Sequence, residues 1–282
     1  MNAIRVWVDG QLVGADVPSV RALDHGVTVG DGAFETCKVA DGEVFAMTRH
    51  LDRMDRTLAG LGLPAADRDR IRAGADAVLA DGPTIGFGRL RWTLTGGAGP
   101  LGSDRDDSPM TYIVTAAEMP LPSATAPIHT VPWVRNERAA TAGLKTTSYA
   151  ENVIALAHAK ERGGQEAIFA NTRGELCEAT GSNIFVVVDG VLRTPPLDSG
   201  CLAGVTRELV IEWCRGAGLE VREEAMPLEV LGHADEIFIT SSARDVQAVS
   251  AVDGRTLDAP GPVTAKAAEI WAFASTEKGI DP

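Results

Sequence analysis

Residues 118–127, EMPLPSATAP, place three prolines among small residues. Proline fixes φ and lacks a backbone N–H, so such a run reads as a linker between folded segments. It divides the 282 residues into an N-terminal domain of residues 1–117 and a C-terminal domain of residues 128–282. Both fall within the usual domain range of roughly 50–250 residues.

Each side of the linker mixes strand and helix patterns. Residues 4–8 (IRVWV) and 33–39 (AFETCKV) read as strands, and Asp9-Gly10 and Asp41-Gly42 supply hairpin turns. Thr48 is the expected cap of a helix in which Leu51, Met54, Leu58 and Leu61 recur at helical spacing before Pro64. A second helix over about 67–80 uses Ile71, Ala75, Val78 and Leu79. Strands at 88–95 and 111–117 flank a glycine-rich loop, GGAGPLGSD. The second half reads as strands at 128–134, 166–170, 175–179, 184–188, 191–194, 219–224, 236–240 and 246–251, with helices around 149–162, 205–217 and 262–274. The fold class is therefore mixed α/β (α+β) in two domains.

Acidic residues outnumber basic ones by 39 to 26, a net charge of −13. Nucleic acid and anionic membrane surfaces would repel such a chain, so neither is expected as a partner. No apolar run approaches the ~20 residues that span a bilayer, and MNAIRVWVDG lacks signal-peptide features. Cys37, Cys177, Cys201 and Cys214 are widely separated, without CxxC spacing or a nearby histidine pair. They read as free, buried thiols of a cytoplasmic protein, with no metal site.

Only five lysines are present: Lys38, Lys145, Lys160, Lys266 and Lys278. Lys160 sits at a helix end, where a cation complements the macrodipole. Lys266 and Lys278 lie among charged or small residues, and Lys38 alternates with apolar neighbours at a solvent-facing strand position. Lys145, in TAGLKTTSYAEN, follows a strand and precedes a helix among small and hydroxyl residues, which suits an amine held in a cleft. Elsewhere Glu178 ends a strand before Thr-Gly-Ser-Asn. Residues 202–207 (LAGVTR) put a glycine and hydroxyl-bearing Thr206 at a helix N-terminus, a geometry suited to phosphate. Ser241 and Ser242 end the strand EIFIT, and Arg53 follows His50 by one helical turn. The loop GGAGPLG lacks both GxGxxG in a βαβ setting and the P-loop lysine, which argues against a nucleotide site.

These segments together resemble one family. DHGVTVGDGAFET at 24–36 and HLDR at 50–53, followed in order by LKTTSYAEN, EAIF, GELCEATGSNIFVV, TPP, GCLAGVTR and DEIFITSS, are similar to the signature of fold-type IV pyridoxal-phosphate enzymes. That family includes branched-chain and D-amino-acid aminotransferases, (R)-selective amine transaminases and aminodeoxychorismate lyases. The resemblance covers roughly residues 5–255. It implies a small N-terminal α/β domain, a larger C-terminal pseudo-barrel domain that binds pyridoxal 5′-phosphate, and a homodimer whose partner subunit completes the active site.

The resemblance also implies roles. Lys145 matches the lysine that forms a Schiff base with the cofactor and then shuttles the substrate proton. Glu178 matches the carboxylate facing the pyridine nitrogen, where an anion keeps that nitrogen protonated. Arg53 matches a phosphate-binding arginine able to donate two parallel bonds. Val205 and Thr206 match the phosphate loop, Ser241 and Ser242 add hydroxyls, and Ser182 and Asn183 line the cofactor. Candidate substrate contacts are Phe34, Arg138, Tyr149, Gly97 and Leu101, the last two in a mobile loop.

Departures from the family's subgroups bear on substrate. Phe34 stands where D-amino-acid enzymes carry tyrosine, and the loop near Leu101 and Ser103 lacks their arginine and histidine. Tyr149 follows Lys145 by four residues where branched-chain enzymes have a tyrosine at five, and LRWTLT replaces their Arg-Pro pair. The implied activity is an aminotransferase that exchanges an amino group between an amino acid or amine and a 2-oxo acid in ping-pong fashion. The alternative is 4-amino-4-deoxychorismate lyase, which releases pyruvate. A non-catalytic carrier of the cofactor would have no use for both Lys145 and Glu178.

Overall fold

The computed structural model describes residues 4–282, which fold as two compact units. The first comprises residues up to Leu121 together with Leu144–Tyr149 and Ile280–Pro282; the second comprises Pro122–Gly143 and Ala150–Gly279.

In the first unit the order is β1 (Arg5–Val8), β2 (Gln11–Val13), α1 (His25–Thr28), β3 (Gly32–Ala40), β4 (Glu43–Val44), α2 (Met47–Leu61), α3 (Arg68–Ala80), β5 (Phe87–Thr95) and β6 (Thr111–Glu118). The strands form one antiparallel sheet, β2-β1-β6-β5-β3-β4. Asp9 and Gly10, and Asp41 and Gly42, all adopt positive φ, as two-residue hairpin turns require. Along β5, Leu90, Trp92 and Leu94 are buried while Arg89, Arg91 and Thr93 alternate to the other face. The buried face packs against Leu51, Met54 and Leu58 of α2 and Ile71, Ala75 and Val78 of α3. Full burial of a large apolar side chain contributes ~1.5–3 kcal/mol.

Thr48 does not cap α2. The N-cap is Ala46, which offers no side-chain acceptor. Asp281 fills that role instead, its carboxylate accepting the Thr48 N–H at 2.8 Å and the Thr48 hydroxyl at 2.5 Å. Lys38 is also not solvent-facing: it is 9% exposed, with Nζ 4.7 Å from the Phe45 ring centre.

The second unit contains β7 (Thr125–Arg135), α4 (Ala150–Glu161), β8 (Glu166–Asn171), β9 (Leu176–Ala179), β10 (Asn183–Val188), β11 (Val191–Thr194), α5 (Val205–Gly216), β12 (Val221–Glu223), β13 (Glu236–Ser241), β14 (Asp245–Val252), β15 (Arg255–Thr256) and α6 (Pro262–Glu277). Its mixed sheet runs β12-β11-β10-β13-β14-β7-β8-β9, with β15 paired to β14. Ala179 N–H bonds the Ser182 carbonyl at 2.8 Å, so β9 returns to β10 and the six strands from β10 to β9 curl toward closure. Ile128, Ile168, Ile184, Val186, Ile237 and Val249 fill that curl.

The sequence boundaries need two corrections. Residues 125–127, read as linker, belong to β7, where Pro127 sits beside a break in register between Val249 and Ala251. A bulge is where a sheet tolerates the missing proline N–H. Residues 144–149, placed by sequence in the second domain, pair with the first unit. Phe34 N–H bonds the Lys145 carbonyl at 3.0 Å, and Thr147 N–H bonds the Gly32 carbonyl at 2.8 Å. They cover the edge of β3 that the two-residue strand β4 leaves open.

Asp281→Ala should destabilise the protein by ~1 kcal/mol, the usual worth of a helix cap. Urea titration should show a smaller loss for Thr48→Ala, which keeps the backbone donor.

Candidate active site

Strand β3 presents different chemistry on its two faces. Phe34 lies on the face away from the helices, opposite Thr93 and diagonal to Arg91. Arg91 lays its guanidinium 3.8 Å from the Phe34 ring centre, and the Lys145 Nζ lies 4.2 Å from the same centre. Tyr149 meets Phe34 edge-on at 4.9 Å, and its own ring centre is 5.6 Å from the lysine nitrogen. Arg91 Nε donates to the Thr93 hydroxyl at 3.1 Å, and no described carboxylate pairs with the guanidinium. Burial lowers the Arg91 pKa, as expected for a cation withdrawn from water without a counter-charge. On the backbone side, Lys145 N–H reaches the Thr57 hydroxyl of α2 at 3.4 Å.

The helix-facing side of β3 holds a buried charge cluster. Glu35, 0% exposed, accepts Arg53 Nε at 2.8 Å, Arg53 Nη2 at 2.6 Å and His50 Nδ1 at 2.7 Å. Burial alone would raise the Glu35 carboxyl, but the Arg53 charge and bonds, with His50, hold it far below the usual carboxylate range. An ionised Glu35 only accepts, so His50 carries its proton on Nδ1. Burial lowers the His50 pKa more than Glu35 raises it.

In the second unit, Glu178 is the penultimate residue of β9. Its carboxylate accepts Leu202 N–H at 3.0 Å and lies 3.3 Å from Arg135 Nε. Arg135 in turn bonds Glu151 at 2.6 Å and stacks 4.1 Å over Phe169. Helix α5 begins after Gly204, which provides no side-chain cap, so the first-turn N–H groups have neither an intrahelical nor a capping acceptor from that residue. A Cβ on Gly204 would overlap the Asn183 side-chain oxygen; bare backbone is required at this turn. Val205 and Thr206 open the helix and are buried. The Thr240 hydroxyl, immediately before Ser241 and Ser242, is buried with no hydrogen-bond partner among the described residues.

The structure gives the other residues singled out in the sequence these surroundings. Arg138 is exposed, and its backbone N–H bonds Asn136; Arg135, three residues earlier, is the arginine beside Glu178. In the sequence Arg135 reads as an ordinary strand-end residue, since its partner is distant in the chain. Ser182 donates to Glu166 at 3.1 Å, and Asn183 donates to the Leu202 carbonyl at 2.8 Å, so both brace the site's loops. Arg53 spends its Nε–Nη2 edge on Glu35, leaving that edge unable to give a phosphate two parallel bonds. Leu101 is 82% exposed at a loop tip. Gly97 is buried and its carbonyl accepts His25 N–H at 2.8 Å. The glycine-rich loop is tethered: Gly99 N–H bonds Leu23, and Arg105 clasps Asp31 with two bonds of 2.7 and 2.6 Å. Arg91, absent from the sequence candidates, was hidden because a charged residue alternating in a strand reads as a solvent-facing position.

Residues 32–252 match the family model for Amino-transferase class IV. The chain belongs to the class IV aminotransferases. It is 31% identical to a putative branched-chain-amino-acid aminotransferase of Methanocaldococcus jannaschii, over 98% of each chain. It is 30% identical to a D-alanine aminotransferase of Listeria monocytogenes over 93% of each. Among solved structures, a branched-chain aminotransferase from Thermoproteus uzoniensis crystallised with norvaline superposes with a TM-score of 0.88 at 28% identity, covering 97% of this chain and 95% of that one. No described helix is long and apolar enough to cross a membrane, and no described cluster of three metal-ligating side chains occurs.

The buried cluster of this aminotransferase makes its stability acid-sensitive with a definite sign. Below pH 6.5, the ordinary histidine value, the unfolded chain protonates His50 more readily than the folded one does, so stability declines. Below pH 4.5 the same holds for Glu35. Urea midpoints measured from pH 8 to 4 should fall in both ranges, and His50→Gln should remove part of the fall at the higher range.

Proposed function

We propose that this aminotransferase uses pyridoxal 5′-phosphate to exchange an amino group between an α-amino acid and a 2-oxo acid, with Arg91 holding the substrate carboxylate. The observation that carries the substrate class is the Arg91 guanidinium, stacked on the same Phe34 ring as the Lys145 amine, partly desolvated and without a carboxylate of its own. Such a group gains most from a carboxylate brought by the substrate.

The residues present fit the cofactor. The bare turn at Gly204, the first-turn N–H groups of Val205 and Thr206, and the unpartnered Thr240 hydroxyl beside Ser241 and Ser242 suit a phosphate dianion. Arg53, the arginine that the family resemblance assigns to the cofactor phosphate, is a buried guanidinium of the first unit. When bound, pyridoxal phosphate supplies a ring that accepts the electron pair left by the broken Cα–H bond. Glu178, oriented by Leu202 N–H and Arg135, offers an anion for the ring nitrogen. Lys145 provides the primary amine at Nζ that takes and returns the Cα proton. The pairing of its backbone with Phe34 and Thr57 fixes where that amine starts. Phe34 and Tyr149 shield it from water on their ring faces.

A homodimer is what the family resemblance implies, and Leu12, Val17, Leu23 and Val27 of the first unit are exposed apolar side chains available to such a contact. Four buried free cysteines support a reducing, cytoplasmic setting.

Borohydride reduction and peptide mapping should place the cofactor on Lys145; a label on another lysine overturns the assignment. Arg91→Met should raise KM for amino acids roughly 10- to 100-fold, the worth of charged hydrogen bonds, while KM for a carboxylate-free amine changes little. A donor panel of both chiralities reports which hand is used. Pyruvate release from aminodeoxychorismate with no acceptor present would favour the lyase reading instead.

A further inference from the structure

Helix α2 carries His50, Arg53 and Thr57 at spacings of three and four residues, which puts them on one face. Thr57 meets the Lys145 backbone and Arg53 meets Glu35. Glu35 takes three hydrogen bonds from this face and none of its atoms reaches solvent. A buried carboxylate paired in this manner is costly to desolvate, and hydrophobic replacements of such pairs are frequently as stable. Fold stability is therefore a weak reason for its presence.

We propose that Glu35 is a positioning residue for the cofactor phosphate, acting through Arg53; this rests on the reading of Arg53 as a phosphate ligand. An arginine side chain has ~2 kcal/mol of rotamer entropy to lose on being fixed. Glu35 fixes the guanidinium before any phosphate arrives, by clasping the Nε–Nη2 edge, and His50 holds the carboxylate from a third direction. The clasp sets the plane of the guanidinium, so the direction in which its other N–H bonds can point is decided within the protein. Two effects oppose one another here. The Glu35 charge partly cancels the attraction of Arg53 for a dianion, while the clasp supplies the geometry. Orientation is decisive for hydrogen-bonded anion recognition, since bond strength falls steeply with angle. Geometry therefore outweighs the cancelled charge.

The test uses the full chain, stripped of cofactor and retitrated with pyridoxal 5′-phosphate or with pyridoxal, which lacks the phosphate. Binding is followed by cofactor absorbance and tryptophan fluorescence. Glu35→Gln should raise the dissociation constant for pyridoxal phosphate at least tenfold and leave that for pyridoxal within about twofold, about 1.4 kcal/mol of phosphate-specific loss. Glu35→Asp keeps the buried charge but is one methylene too short to span both nitrogens, and it should show the same selective loss if Glu35→Gln does not fold. Adding Glu35→Gln to Arg53→Gln should cost nothing further. Equal losses for both ligands would mean a merely structural role, and tighter binding of the phosphate form in Glu35→Gln would mean that charge cancellation dominates; either result overturns the proposal. Should Arg53→Gln bind pyridoxal phosphate as tightly as the unmodified chain, the phosphate role of Arg53 itself fails. Weakened Arg53→Gln beside unaffected Glu35 variants sinks the positioning role alone.

Discussion

The arrangement depends on two backbone hydrogen bonds, Phe34 N–H to Lys145 and Thr147 N–H to Gly32. They make residues 145–147 a short additional edge of the first unit's sheet, although the chain reaches them only after completing β7 of the second. The edge of β3 has unpaired donors and acceptors that must be satisfied, and the lysine segment satisfies them. The lysine backbone is thus positioned by main-chain pairing, which tolerates side-chain change nearby. It does not depend on a loop finding its own conformation.

Given that pairing, the two-residue period of β3 sorts the chemistry. Phe34 faces Arg91, Tyr149 and the lysine amine. Glu35, one residue on, faces the opposite way into α2. A one-residue slip in the register with β5 would exchange these faces, putting a carboxylate beside the amine and an aromatic ring against Arg53. The nine-residue ladder between β3 and β5, anchored by buried Trp92 opposite Glu35, opposes that slip. Packing in the core and chemistry at the surface are set by the same register.

Local features were legible in the sequence because they depend on neighbours in the chain. The Asp-Gly turns, the apolar spacing of α2 and α5, and the glycine before Val205 all appear where periodicity and turn chemistry place them. The family resemblance gave roles to Lys145, Glu178 and the α5 turn, already candidates from their local chemistry, and the class IV match bears out the family itself. What escaped was set by distant partners. Asp281 caps a helix 233 positions away, so Thr48 was the nearest candidate and the wrong one. Arg135, at the end of β7, lies beside Glu178, a partner 43 positions away that no local pattern announces. Arg91 reads as a solvent-facing residue until the lysine segment is seen on the same side of the sheet.

The acidic surplus of this chain and the anion-binding role proposed for it are reconciled by the same logic. A net charge of −13 acts over distances that salt screens within about 8–10 Å, so it bears mainly on solubility and encounter. Inside, the groups that would meet phosphate and carboxylate are few and individually controlled. Arg53 is paired with Glu35, Arg91 is stacked on an aromatic ring without a carboxylate partner among the described residues, and the α5 turn offers backbone donors that carry no formal charge. On the proposed reading, groups held in this way let the chain hold a dianion with little net positive charge. Recognition by oriented donors is compatible with an acidic exterior, whereas recognition by diffuse positive potential would not be.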